Sequence, residues 1–316
     1  MKPAVALADP HAVVLPRRLA EVSALHRVDE DALLGQFIPL HYHGQMLSDP
    51  LRMGAFQEAI DKLVPEGANV VELGAGTGVL SFFAAKRARR VTCVERLPHV
   101  AAAARRLLAA NGVADRVTVV EGDARTFVPD APVDVLICEL LHAALLREKQ
   151  TEVISGFRAR HDALFGKPIG RILPEASILA IQPVHQSYDF HGYHAPVPLF
   201  FPAGAEGMSL EMGTPEVYAI AEYLGDIPGL ITVDGYLGAQ RAGEINALRF
   251  ITKNVVGILL DEQRSVDWHM QYMVLPLPHP VAVVRGDRLH VRFQYETGAS
   301  IESLAASLVA EKSATR

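Results

Sequence analysis

Between Asn69 and Cys138 the chain repeats one rhythm, a short β-branched run followed by a helical stretch. Val70-Val71-Glu72-Leu73 reads as a strand and Val79 to Arg87 as a helix. Val91-Thr92-Cys93-Val94-Glu95 reads as a second strand, and Val100 to Ala110 as an Ala/Leu/Arg helix that stops at Asn111-Gly112. Val117-Thr118-Val119-Val120-Glu121 and Val133 to Cys138 continue the series. Strands joined through helices run parallel, since each crossover carries the chain back before the next strand begins. The expected fold here is α/β, a doubly wound Rossmann-like sheet.

The first strand runs into Gly74-Ala75-Gly76-Thr77-Gly78. Glycines at 74, 76 and 78, between a strand and a helix, let the backbone approach a ligand closely. The dinucleotide fingerprint places its third glycine one position later, where this chain has Val79. The spacing therefore favours a nucleoside ligand without a pyrophosphate. Glu95 closes the second strand, where an acid can accept both ribose hydroxyls, which suits S-adenosylmethionine and NAD equally.

Glu139 follows the run Val133 to Cys138, and Glu148 comes after Leu140-Leu141-His142-Ala143-Ala144-Leu145-Leu146-Arg147. Alone, Glu148 reads as a solvated charge between Arg147 and Lys149. Two carboxylates at a strand end beside a cofactor turn instead point to a cationic substrate. The combination predicts methyl transfer to a guanidinium.

Either side of the alternating region the pattern changes. Residues 1–65 read as a helical preface, with apolar spacing from Arg17 to Ala24 and Asp49-Pro50 as an N-cap with proline in the first turn. Residues 66–168 form the expected cofactor-binding domain, and 169–316 a β-rich, barrel-like substrate and dimerisation domain. Val281 to Val284, Arg285-Gly286-Asp287 and Leu289 to Tyr295 read as a hairpin. His191 to Gly213, with Pro196, Pro198, Phe200, Phe201 and Pro202, is too apolar for a solvated linker and reads as cover for a partner surface.

Composition narrows the classes. The 316 residues are 50% hydrophobic and 21% charged, and no run approaches the roughly 18 apolar residues of a membrane helix. Met1 to Ala8 starts like a signal peptide but meets Asp9-Pro10-His11, so cytoplasmic residence is expected. The net charge of −6 argues against a nucleic-acid partner. Cys93 and Cys138 sit in strand-like runs, and His185, His191 and His194 lack ligand spacing, so no metal is assigned.

With these residues in hand, the chain resembles the protein arginine N-methyltransferase family over most of its length. His41-Tyr42-His43-Gly44-Gln45-Met46-Leu47-Ser48-Asp49-Pro50-Leu51-Arg52 looks like that family's His-x-x-Met-Leu-x-Asp-x-x-Arg segment, and Glu139 with Glu148 has the spacing of its double-glutamate loop. Ile172-Leu173-Pro174-Glu175-Ala176 resembles the start of its β-barrel domain. The resemblance implies S-adenosylmethionine as cofactor, with Arg52 gripping its carboxylate and His43 and Met46 lining the site. It implies Asp123 and Ala124 at the adenine, Glu139 and Glu148 as the catalytic pair, and an inserted dimer arm at His191 to Gly213. The acceptor would be an arginine-containing protein or free arginine and related guanidino metabolites, and the assembly a homodimer. Val266-Asp267-Trp268 stands where the family has Thr-His-Trp, making Asp267 and Trp268 candidate substrate contacts. Leu33-Leu34-Gly35-Gln36-Phe37 lacks the tyrosines of the family's Tyr-Phe-x-x-Tyr helix, and Arg125 stands where a glutamate is frequent.

Overall fold

A computed structural model describes Ile38 and residues 40–313 except 206. The expectations for Arg17 to Ala24 and Leu33 to Phe37 lie outside the described residues.

Among the described residues two helices precede the sheet, α1 (Leu40–Leu47) and α2 (Pro50–Leu63). Asp49 caps α2, its carboxylate accepting the Leu51 and Arg52 N–H groups at 3.0 Å each, with Pro50 in the first turn. Arg52, Ala55, Phe56, Ala59 and Ile60 form the buried stripe of α2. That spacing of three and four residues places Arg52 in line with the core-facing Phe56 and Ile60.

The parallel sheet contains β1 (Asn69–Leu73), β2 (Arg90–Glu95), β3 (Val117–Glu121), β4 (Val135–Cys138) and β5 (Arg171–Leu173), in the order β3-β2-β1-β4-β5. Every residue of β1 and β4 is buried, as expected for strands covered on both faces. The crossover helices are α3 (Val79–Ala84), α4 (Pro98–Ala110) and α5 (Gln150–Phe165). The helix expected to reach Arg87 ends at Ala84, because residues after it turn back to the sheet and the Gly67 N–H bonds to the Arg87 carbonyl at 2.9 Å.

The second half is antiparallel. Its larger sheet centres on β6 (Ala176–His185), β13 (Gly243–Leu259) and β15 (Tyr272–Val283), flanked by β9 (Leu199–Phe201), β10 (Leu210–Glu211), β11 (Glu216–Glu222) and β14 (Arg264–His269). A second sheet pairs β12 (Leu230–Gly238) with β16 (Arg288–Glu296) and β17 (Val309–Lys312), with α6 (Ile301–Ser307) between the last two. The segment expected to be an inserted arm begins in the turn of a small hairpin, β7 (Asp189–Phe190) with β8 (Tyr193–His194), and carries β8, β9 and β10.

Residues 284–287 do form a turn, with the Asp287 N–H bonded to the Val284 carbonyl at 3.0 Å, but it is not a hairpin. β15 pairs with β13 and β9, and β16 with β12 and β17, so the turn passes the chain from one sheet to the other. Alternating apolar residues on both flanks meet different partners, which periodicity cannot distinguish.

The two halves meet where α2 packs on β13 and β14. Gly257 allows this approach: a Cβ there would collide with Leu63 and stand 3.2 Å from the Ala59 Cβ. Gly257→Val is therefore expected to destabilise the protein by roughly 1–3 kcal/mol through overpacking. Urea unfolding checks this; an unchanged midpoint would mean that α2 does not bear on the strand.

Candidate active site

Strand register builds the crevice. Leu73 at the end of β1 pairs with Val94 of β2 and with Cys138 of β4, and Glu95 pairs with Glu121 of β3. Asp123, Glu95, Gly74 and Glu139 consequently follow one another along the carboxyl edge of the sheet. The chain leaves β1 towards β2 on one side and returns as β4 on the other, and open α/β sheets leave a ligand crevice at such a reversal.

The glycine turn forms its floor. Gly74, Gly76 and Gly78 have φ of +79°, +54° and +81°, the left-handed region that glycine adopts without strain. A Cβ on Gly74 would collide with Leu140, and one on Gly76 would lie 2.6 Å from the His43 ring. His43 and Met46 from α1 and Arg52 from α2 also line the crevice, with Asp123 and Ala124 at its far end. Burial lowers the His43 pKa, which keeps its imidazole neutral at pH 7.

Glu95 is already oriented. Its Oε2 accepts the Gly76 N–H at 2.9 Å and its Oε1 the Leu97 N–H at 2.8 Å. Each carboxylate oxygen has a second acceptor site, so two hydroxyls can still be bound. Asp123 is differently placed: Arg125 holds it through Nη2 at 2.7 Å and through Nε at 3.2 Å from each oxygen. These bonds lower its pKa and compete with any amine for the same oxygens.

Glu139 and Glu148 meet at the opposite end. Glu139 accepts a hydrogen bond from Arg52 Nη2, and both side chains are almost fully buried. The Trp268 ring backs Arg52, with the guanidinium carbon 5.7 Å from its centroid. Burial raises the Glu139 pKa even against Arg52. Glu148 rises to about 8, through burial first and the neighbouring Glu139 charge second. Among the described residues Glu148 forms no salt bridge, and the nearby Arg52 and Arg147 charges offset only part of that rise.

The loop between the two glutamates is strained. Ala144, Leu145 and Arg147 have φ of 57°, 55° and 61°, at roughly 1–2 kcal/mol per non-glycine residue. The β-rich half holds it there. The Ala144 N–H donates to Thr252 Oγ1 at 2.8 Å, and the Tyr295 hydroxyl donates to the Ala144 carbonyl at 2.9 Å. The Gly298 N–H bonds to the Leu145 carbonyl at 2.8 Å and the Arg147 N–H to the Ala299 carbonyl at 2.7 Å.

Asp267 and Trp268 do not line the crevice. Asp267 pairs with Lys253 Nζ at 2.7 Å, and Trp268 packs edge-on against Phe56 behind Arg52. Three contributors went unassigned in the sequence. Glu72 lines the crevice as a buried acid whose Oε2 accepts the Ser81 N–H at 2.9 Å and the Ser81 hydroxyl; burial pushes its pKa to about 8. An acid inside an apolar strand was the available signal. Thr252 and Tyr295, 108 and 151 positions from Ala144, carry none.

The Glu148 pKa sets a stability signature. A folded value of about 8, above the ordinary 4.5, means that the native state binds the proton more tightly than the unfolded chain. The associated stability is complete below pH 4.5 and is lost as pH rises through about 8. Glu148→Gln carries no such titration, so its Tm should gain on the wild type as pH rises across that window. Parallel Tm curves would show that Glu148 titrates normally.

Comparisons with known proteins agree with this geometry. A family model described as a methyltransferase domain matches residues 70–160, and the cofactor of such a domain is S-adenosylmethionine. An arginine N(omega)-methyltransferase of Streptomyces achromogenes subsp. streptozoticus is 34% identical over 143 residues, 44% of this chain and 38% of that protein. Among solved structures, the PRMT1 enzyme–prozyme heterotetrameric complex of Trypanosoma brucei with AdoHcy shares the fold. Its TM-score is 0.67 at 21% identity, over 80% of this chain and 86% of that one. An uncharacterized protein of Methanothermobacter thermautotrophicus is 31% identical over 273 residues, covering 85% of this chain and 97% of the relative. The chain belongs to one family with that archaeal protein, as a methyltransferase-domain protein with an antiparallel β-rich second half.

Proposed function

We propose that this protein transfers a methyl group from S-adenosylmethionine to a guanidinium nitrogen of arginine, free or within a protein. The observation that carries the reading is the buried acid pair: Glu139 already holds one guanidinium, that of Arg52, while Glu148 beside it forms no salt bridge among the described residues. The similarity to the Streptomyces arginine N(omega)-methyltransferase supports the same acceptor chemistry.

The crevice residues suit the cofactor. Glu95 would accept the ribose hydroxyls, the glycine turn would let the nucleoside lie against backbone, and Arg52 would take the carboxylate. His43 and Met46 would pack beside it, and Asp123 with Ala124 would bound the adenine. When bound, the cofactor supplies an electrophilic methyl on sulfur.

The residues of the chain do the rest. A guanidinium is protonated throughout the physiological range and its lone pairs are delocalised. Glu139 and Glu148 would grip it through paired hydrogen bonds and draw its positive charge towards themselves, leaving electron density on the free terminal nitrogen. Fixing that nitrogen in line with the methyl carbon supplies most of the acceleration, by orientation. The incoming cation displaces the proton from Glu148 on binding. The resulting carboxylate would be an acceptor for the proton the nitrogen sheds after transfer.

Methyl transfer followed by mass spectrometry, with free L-arginine and an Arg/Gly-rich peptide offered in parallel, tests the reading. We expect a product heavier by one methyl group from at least one acceptor, and a loss on the order of 100-fold or more with Glu148→Gln. Transfer to neither acceptor while cofactor binds would leave a silent cofactor-binding scaffold.

We further propose that the protein works as a homodimer in the cytoplasm. The support is the segment 191–213, where Tyr193, Val197, Phe200, Met208 and Leu210 are exposed. No described helix is long and apolar enough to cross a membrane. Sedimentation should give twice the 34.3 kDa chain mass; a monomer at working concentration would sink the proposal.

A further inference from the structure

Gln150 is the first residue of α5 and only 1% exposed, an unusual burial for a side chain with two donors and an acceptor. It does not cap the helix. Its Nε2 donates to the Cys138 carbonyl at 2.7 Å, and its Oε1 accepts the Leu140 N–H at 2.8 Å. One amide thus binds the peptide groups on both sides of Glu139. Gln150 also lies two residues beyond Glu148, so the same side chain ties the start of the 139–150 loop to its end. No other side chain among the described residues bonds the backbone on both sides of Glu139.

The rest of the loop makes this closure consequential. Three of its residues are in left-handed conformations, and the anchors from the β-rich half grip residues 144, 145 and 147. Those bonds fix the crown of the loop but not its base. Without Gln150, Glu139 would be tethered by the end of β4 and Glu148 by the strained crown, with nothing setting one against the other. An apolar side chain here would also leave a buried carbonyl and a buried N–H unpaired, which the backbone would relieve by moving.

We propose that Gln150 is a positioning residue: by closing the base of the 139–150 loop it sets the spacing between the Glu139 and Glu148 carboxylates. The inference rests on the reading of those two acids as the guanidinium-binding pair. Gln150 does not line the crevice; it also meets the Cys138 thiol at 3.4 Å and Tyr223, and it acts on the acid pair through the backbone of Glu139. The requirement it serves is geometric, because a guanidinium held in two hydrogen bonds tolerates little change in the separation of its acceptors.

The test uses Gln150→Met, of similar length with no hydrogen-bonding group, and Gln150→Glu, which keeps an acceptor for the Leu140 N–H. Three quantities are measured on the full chain: kcat with the guanidino acceptor, S-adenosylhomocysteine affinity by calorimetry, and the titration of the two carboxyl groups by 13C NMR. For Gln150→Met we expect kcat to fall roughly 10- to 100-fold, the scale of a misplacement near 1 Å. Cofactor affinity should hold, since the glycine turn and Glu95 are untouched. The Glu139 and Glu148 titrations should shift. Gln150→Glu should perturb the same two titrations, and carries the test if Gln150→Met does not fold. Unchanged carboxyl titrations in the folded variants would overturn the inference, as would kcat and cofactor affinity falling together. A wild type that binds cofactor but methylates no guanidinium, with both titrations still dependent on Gln150, would overturn the functional reading alone and leave the spacing role standing.

Discussion

The crevice depends on the hydrogen-bond register that ends β1, β2 and β4 at one level. Parallel strands advance about 3.3 Å per residue, and a slip of one residue turns each side chain to the opposite face. A one-residue slip between β1 and β4 would carry Glu139 away from Gly74 and point it into a helix layer. The register is protected because each strand is buried on both faces, so that any slip would misplace several Val, Leu and Ile side chains together. Cofactor turn and acid pair, more than sixty residues apart in the chain, are neighbours for that reason.

Placing acids at this edge costs solvation, and the protein offsets the cost in three ways. Glu95 takes two backbone N–H groups. Glu72 takes the N–H and hydroxyl of Ser81 and sits where burial favours the neutral form. Glu139 takes Arg52, delivered by the buried stripe of α2 and backed by Trp268. Glu148 forms no salt bridge among the described residues, and burial with the neighbouring Glu139 charge raises its pKa against the pull of Arg52 and Arg147.

Much of this was legible beforehand. The glycine turn between a strand and a helix and Glu95 at the close of the next strand are local patterns, whereas Arg52 stood out only through the resemblance of its segment. Asp267 was harder to place, because a polar residue in a strand between two apolar ones shows only that it faces away from them. The structure turns it to Lys253 on the neighbouring strand. The turn at 284–287 misled for a related reason: turn residues record a change of direction but not which strand receives the chain afterwards.

The parallel sheet, the backbone approach at Gly74 to Gly78 and the acids at the strand ends are written in the chain, since each follows from side-chain period, backbone freedom or charge within a few residues. The raised pKa of Glu148, the partner of Glu139, and the support of the strained loop by Thr252, Tyr295 and Gln150 arise only on folding. Those properties come from desolvation and from hydrogen bonds, which act over a few ångströms of space. Chain separation of 87 residues between Arg52 and Glu139, or 151 between Ala144 and Tyr295, hides such contacts from any local pattern.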